Sequence, residues 1–180
     1  MERTKGSYTQ SGTLVWPVKS FSRGVEKMAE EFDDPFKELE QSVMEDMKRV
    51  YSEKTIDHFL NPRNLGGITA PDGFGKTTGP HGNTMEIYLK VKDGKVINAS
   101  FWTDGCGSSI ASGSMVTELA KGKSVSEAQK ITQQDILDAL GGLPEDSLHC
   151  ALLAANTLKE AIKDYLVSKR EPWKRAYRRG

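Results

Sequence analysis

The chain is short of cysteine: Cys106 and Cys150 are the only two among 180 residues. Two thiols cannot build the disulfide framework of a small secreted domain. Without a secretory signal, thiol or metal chemistry is the favoured use. Long apolar runs are missing too. None approaches the roughly 20 residues that span a bilayer, so no membrane partner is expected. Neither sign of charge is in excess, with 25 acidic and 25 basic residues, so nucleic acid is not an expected partner either. The balance breaks only locally, where Glu26 to Arg49 is mainly acidic and Lys169 to Arg179 basic. Both stretches read as solvated ends. Met1 to Gly24 is mildly basic and contains serine and threonine, but Trp16-Pro17 interrupts any amphipathic targeting helix. A soluble cytoplasmic chain is expected.

What is present is organised around Thr103-Asp104-Gly105-Cys106-Gly107-Ser108-Ser109-Ile110-Ala111-Ser112. This stretch reads as a strand end turning through a glycine-flanked cysteine into a helix of small residues. A thiol just before a helix start feels unpaired N–H groups and the positive dipole end, which favour thiolate.

Taken in order, Met1 to Phe21 shows no helical period and is expected to be an irregular arm. Val25, Met28, Ala29 and Phe32 fall at helical spacing, and Asp34-Pro35 opens a second helix striped by Phe36, Leu39, Val43, Met47 and Val50. Such a stripe needs a cover, either the chain's own domain or another copy in a homo-oligomer. Ser52 caps a further short helix, with Tyr51 stapling onto Ile56, and Asn61-Pro62 ends it. Gly66 to Gly82 is loop with room for one short strand. Met85, Ile87, Leu89 and Val91 alternate as a half-buried strand. Asp93-Gly94 turns the chain, and Val96 to Thr103 returns with Ile97, Ala99 and Phe101 expected on the buried face. Capping boxes at Ser124/Glu127 and Thr132/Asp135 start two more helices. After Gly141-Gly142 a long helix follows, its core stripe expected at Leu148, Ala151, Leu152, Ala155, Leu158, Ile162 and Leu166. The expected fold class is α+β: a small antiparallel β-sheet with helices packed on one side, plus an N-terminal helical extension. The expected division is an extension over 1–50, a domain over 51–168 and a basic tail over 169–180.

The hairpin brings its two open ends together, and with them the neighbourhoods of His81 and Cys106. Cys150 and its neighbour His149 are expected in the first turn of the last helix. Two thiols and two imidazoles suit tetrahedral zinc, and they suit a [2Fe–2S] cluster in which histidine replaces cysteine. Spacing alone leaves other uses open. Cys150 can be a small core residue, His149 an ordinary helix-start histidine. A catalytic thiol is the third use, for which His149 is poorly placed because consecutive helical residues point about 100° apart.

Several separated motifs carry a resemblance. Tyr51-Ser52-Glu53-Lys54-Thr55-Ile56-Asp57-His58-Phe59, Asn61-Pro62-Arg63-Asn64, the Cys106 stretch, Leu119-Ala120-Lys121-Gly122-Lys123-Ser124 and His149-Cys150 occur in one order. Together they resemble the IscU/NifU-type iron–sulfur scaffold family from Tyr51 to about Tyr165. The resemblance implies an assembly scaffold or carrier rather than an enzyme. It would receive sulfur from a cysteine desulfurase and pass its cluster to acceptor apoproteins. It implies a cofactor-binding set of His81, Cys106, His149 and Cys150, with Asn83 joining these as a metal-site residue. Cys106 and Cys150 match the second and third family cysteines. The first, in a Cys-Gly-Asp motif, reads His81-Gly82-Asn83 here. Histidine cannot accept sulfur as a persulfide, and an amide adds no charge where the family's aspartate keeps the cluster labile. A cluster here would be held more firmly, or not built at all. The family's Leu-Pro-Pro-Val-Lys segment reads Leu143-Pro144-Glu145-Asp146-Ser147, which argues against release by a heat-shock-type chaperone. The competing expectation is a divergent paralogue with structural zinc or an empty site, acting as a binding or regulatory module.

Overall fold

The structure is a computed structural model that describes residues 7–8, 14–15 and 35–171. The helix expected over Val25 to Phe32 and most of the basic tail lie outside the described residues. The chain forms two compact units, Met1–Glu45 and Asp46–Gly180. In the first, β1 (Ser7–Tyr8) pairs antiparallel with β2 (Leu14–Val15). That ladder falls where an irregular arm was expected, its strands too short to leave a sequence period. Helix α1 (Pro35–Val50) begins at the expected proline. Its stripe residues Leu39, Val43 and Val50 are exposed.

In the second unit, Ser52 caps α2 (Glu53–Leu60), accepting from the Thr55 N–H at 3.1 Å. Its hydroxyl also donates to the Leu140 carbonyl. The sheet has the order β3 (Gly73–Thr78), β4 (Thr84–Lys92), β5 (Lys95–Thr103), antiparallel throughout. Asp93 and Gly94, at φ of 52° and 74°, make the expected tight turn. Met85, Ile87 and Leu89 of β4 are fully buried, each worth about 1.5–3 kcal/mol in burial. On β5, Val91 pairs with Val96 and Lys90 with Asn98, so Ile97 is an extra, unpaired residue. This bulge corrects the expected burial of Ile97. Val96, Ala99 and Phe101 are the fully buried positions, and Ile97 faces out.

Helix α3 (Gly107–Ala120) follows β5 and packs on it, on α2 and on the last helix. It is buried on almost every side, which its small residues permit. Gly113 leaves no room for a Cβ against the Phe101 ring. Two of the hydroxyls that this burial traps are satisfied within the helix, Ser112 donating to the Ser108 carbonyl at 2.7 Å and Thr117 to the Gly113 carbonyl at 3.0 Å. Both capping boxes are present, opening α4 (Val125–Ala128) and α5 (Gln133–Leu140). The chain turns at Gly141 and Gly142, and a short 3-10 turn (Glu145–Ser147) leads into α6 (Leu148–Arg170).

Helix α6 crosses β3 and β4. Its backbone at Thr157 and Ala161 rests directly on Gly75, and at Ala161 on Gly73, where a Cβ would collide. The observed core stripe is Cys150, Ala151, Leu153, Ala154, Ala155, Leu158, Ala161 and Ile162. Leu152, expected in it, is 45% exposed, because the buried face is centred on Ala151, Ala154, Leu158 and Ala161 and Leu152 points away from that line. The fold class is α+β as expected, with α3 and α6 packed on the sheet and α2 and α5 packed on those helices.

Candidate metal centre

Three loops at one end of the sheet supply the chemistry. Gly79 N–H donates to the Asn83 carbonyl at 2.7 Å, closing the β3–β4 turn that carries His81. Cys106 is the N-cap of α3, three residues past the end of β5. Cys150 and His149 lie in the first turn of α6. The two helix starts are tied by the Ser108 hydroxyl, which donates to the Ser147 hydroxyl at 3.1 Å.

The expected ligands meet in pairs. Cys106 Sγ and Cys150 Sγ lie 3.9 Å apart. His149 Nε2 is 3.5 Å from Cys150 Sγ, and the His81 and His149 rings have centroids 4.6 Å apart. Among the described residues, no three His, Cys, Asp or Glu side chains converge as a closed metal cage. Asn83 enters through its nitrogen: Nδ2 donates to Ser109 Oγ at 3.3 Å, while its buried Oδ1 has no hydrogen-bond partner. In this orientation the ligating atom of the amide is not the one turned to the thiol side.

The two sulfurs differ in their surroundings. Cys106 is exposed and Cys150 buried. Burial pushes the Cys106 thiol up. The Ser109 and Ser108 N–H groups, the Ser109 hydroxyl and the neighbouring Cys150 outweigh it and hold the thiol below its ordinary value. Burial pushes Cys150 up to about 11, against the hydrogen bond from Ser109, and the charge of Cys106 adds to the rise.

Ser109 is the residue that sequence reasoning missed. It is fully buried, its hydroxyl donates to Cys150 Sγ at 3.3 Å, and it lies 3.8 Å from Cys106 Sγ. The available signal was spacing. A residue three positions into a helix from a functional N-cap returns to the same face. The third histidine, His58, stands apart from these contacts, buried with Nδ1 2.8 Å from Ser114 Oγ. Burial, aided by Arg63, lowers its pKa.

This hairpin, small-residue helix and paired thiol–imidazole end define an α+β domain with a cysteine–histidine site at one end of its sheet. The family described as NifU-like N terminal domain matches residues 50–172, and the chain belongs to it. It is 50% identical over 117 residues to the iron-sulfur cluster assembly scaffold protein IscU 1 of Archaeoglobus fulgidus, covering 64% of this chain and 76% of that protein. It is 49% identical over 126 residues to the IscU scaffold protein of Escherichia coli, covering 67% and 97%. A relative in Drosophila melanogaster, 42% identical over 127 residues and covering 68% and 82%, is called an iron-sulfur cluster assembly enzyme. Among solved structures, an N-terminal NifU-like protein of Brucella abortus matches with a TM-score of 0.52 at 19% identity, covering 66% of this chain and 95% of that one. That likeness concerns the fold alone. Among the described residues, no helix is long and apolar enough to cross a membrane.

Proposed function

We propose that this chain is an iron–sulfur cluster assembly scaffold. It holds a nascent cluster as cargo and gives it up to an acceptor apoprotein, with sulfur supplied by a cysteine desulfurase. The observation that carries this is the meeting of Cys106, Cys150, His149 and His81 from one turn and two helix starts, in a chain of this family. The donor chemistry fits the cargo. Thiolate and imidazole both ligate cluster iron, and donors arranged in pairs suit a two-iron [2Fe–2S] unit. The relatives named as assembly scaffolds support the same role.

Each residue has a part. Cys106 and Cys150 supply thiolate, His149 and His81 neutral nitrogen. Asn83 steadies Ser109 from the side rather than charging the site. The chain binds and releases its cargo without turning over a small substrate, and it works in the cytoplasm. Residues 51–168 carry the function, and the extension over 1–50 and the tail over 169–180 are appendages to it. Glu145 and Asp146 stand exposed in the turn before α6, at the segment where the family's chaperone motif is replaced. Release therefore proceeds without a dedicated heat-shock chaperone.

The test is anaerobic reconstitution of the reduced protein with ferrous iron and inorganic sulfide. Charge-transfer absorption with equal iron and sulfide is expected, and its loss in Cys106→Ala and Cys150→Ala at unchanged far-UV circular dichroism. A colourless protein that retains zinc, or no metal, would overturn the proposal in favour of a divergent binding module.

A further inference from the structure

We propose that Ser109 is a positioning residue of this centre: its hydroxyl hydrogen is committed to Cys150 Sγ and sets how much charge that sulfur gives to a bound metal. The inference rests on the metal-holding role proposed above and adds a residue that touches no metal itself.

Three observations carry it. Ser109 is fully buried, so its hydroxyl must find its partners inside the protein. Its Oγ lies 3.3 Å from Cys150 Sγ and 3.8 Å from Cys106 Sγ. A hydroxyl has one hydrogen to give, and the nearer sulfur takes it. The acceptor side of the same oxygen is already filled. Asn83 Nδ2 donates to it at 3.3 Å, which turns the hydroxyl hydrogen away from the amide and toward the thiol side. Finally, main chain closes on both members of this relay. A Cβ at Gly105 would lie 2.5 Å from Ser109 Oγ and 3.1 Å from Asn83 Nδ2, and a Cβ at Gly79 would lie 2.6 Å from Asn83 Oδ1. Bare backbone on either side lets the two side chains fit and leaves them little room to turn.

The two sulfurs are therefore served by different kinds of donor. Cys106 draws on the backbone N–H groups of Ser108 and Ser109, which no substitution removes. Cys150 depends on the Ser109 side chain, which a single substitution removes. A hydrogen bond to a ligating sulfur lowers the energy of its lone pairs, so the sulfur donates less charge to the metal. Charge-transfer absorption then moves to higher energy, and an iron–sulfur unit held there is easier to reduce. Ser109 is thus the point at which the electronic character of the centre is adjusted without any change of ligand.

The experiment uses the reduced, metal-free, full-length chain under anaerobic conditions, with cobalt(II) as the probe. Far-UV circular dichroism checks that each variant is folded. Ser109→Ala should move the sulfur-to-cobalt charge-transfer band to longer wavelength. Ser109→Thr keeps the hydroxyl and should keep the wild-type band. A band that stays in place in Ser109→Ala, or that moves alike in both variants, overturns the proposal. Wild type also gives a test that needs no variant. Its cobalt–sulfur stretching bands in resonance Raman should shift on exchange into D2O, and bands indifferent to exchange overturn the proposal as well. After reconstitution with iron and sulfide, Ser109→Ala should be harder to reduce. At the wild-type midpoint potential its ratio of reduced to oxidised protein should fall at least about threefold, and an unchanged ratio counts against the proposal. The cobalt arm separates this inference from the role it rests on. The expected band shift in a chain that assembles no iron–sulfur unit overturns the scaffold role and upholds Ser109. A wild-type chain that assembles one, with the cobalt band unmoved in Ser109→Ala, keeps the scaffold role and removes only the part given to Ser109.

Discussion

Cys106 caps α3 with solvent at its side, whereas Cys150, in the first turn of α6, has none. Both sit at the positive end of a helix, yet one thiol is held below its ordinary value near 9.0 and the other is pushed up to about 11. A helix terminus contributes about 0.3–1 kcal/mol to a nearby charge. One pKa unit is about 1.4 kcal/mol, so the rise at Cys150 exceeds what the terminus can offset. Burial decides the state of the sulfur, and the helix start only tips the balance where burial is partial. Two cysteines that share a helix-start position therefore differ in chemistry.

The largest test of this contrast is alkylation of the metal-free chain by iodoacetamide at neutral pH. Cys106 should react at least about 100-fold faster than Cys150, followed by peptide mass spectrometry. Equal rates would erase the distinction. The next effect is on stability. Cys150→Ser places a more polar group in a fully buried position and should cost about 1–3 kcal/mol in urea unfolding, whereas Cys106→Ser should stay within about 0.5 kcal/mol. A smaller effect separates the two by pH. The folded value of Cys106 is depressed, so this thiol adds stability as pH rises from there to about 9.0, and keeps it above. The folded value of Cys150 is raised, so stability falls between about 9 and 11, where the unfolded chain loses its proton first. Urea midpoints against pH should lose the rise in Cys106→Ala and the decline in Cys150→Ala. The same curve in both variants would mean that the two thiols are coupled into one titration.

Much of the fold was legible because its signals are local. Asp93-Gly94, the caps at Ser52, Ser124 and Thr132, and the alternation from Met85 to Leu89 each involve residues a few positions apart. Ile97 was misjudged because a bulge shifts parity without leaving a residue signature of its own. Leu152 was misjudged because the buried face of α6 includes Ala154 and Ala161, whose small side chains gave no apolar stripe to read. At the site, chemistry and resemblance singled out His81, Asn83, Cys106, His149 and Cys150, and the structure adds that the thiols and imidazoles meet in pairs while Asn83 turns its nitrogen to Ser109. Ser109 was not legible, since a serine in a run of small residues carries no mark of contact with two sulfurs.

The bare contact of α6 on Gly73 and Gly75 has a consequence for how this molecule tolerates change. Thr157 and Ala161 lie about two and three turns along α6 from Cys150, and the strand beneath them runs on into the turn that carries His81. At Gly75 main chain lies against main chain, and no side chain is there to act as a shim. A methyl added at Gly75 has to lift the whole rod, and the lift is delivered at its far end as a change in the gap between ligands. The spacing of Cys150 from Cys106 thus depends in part on the floor of the sheet, away from either sulfur.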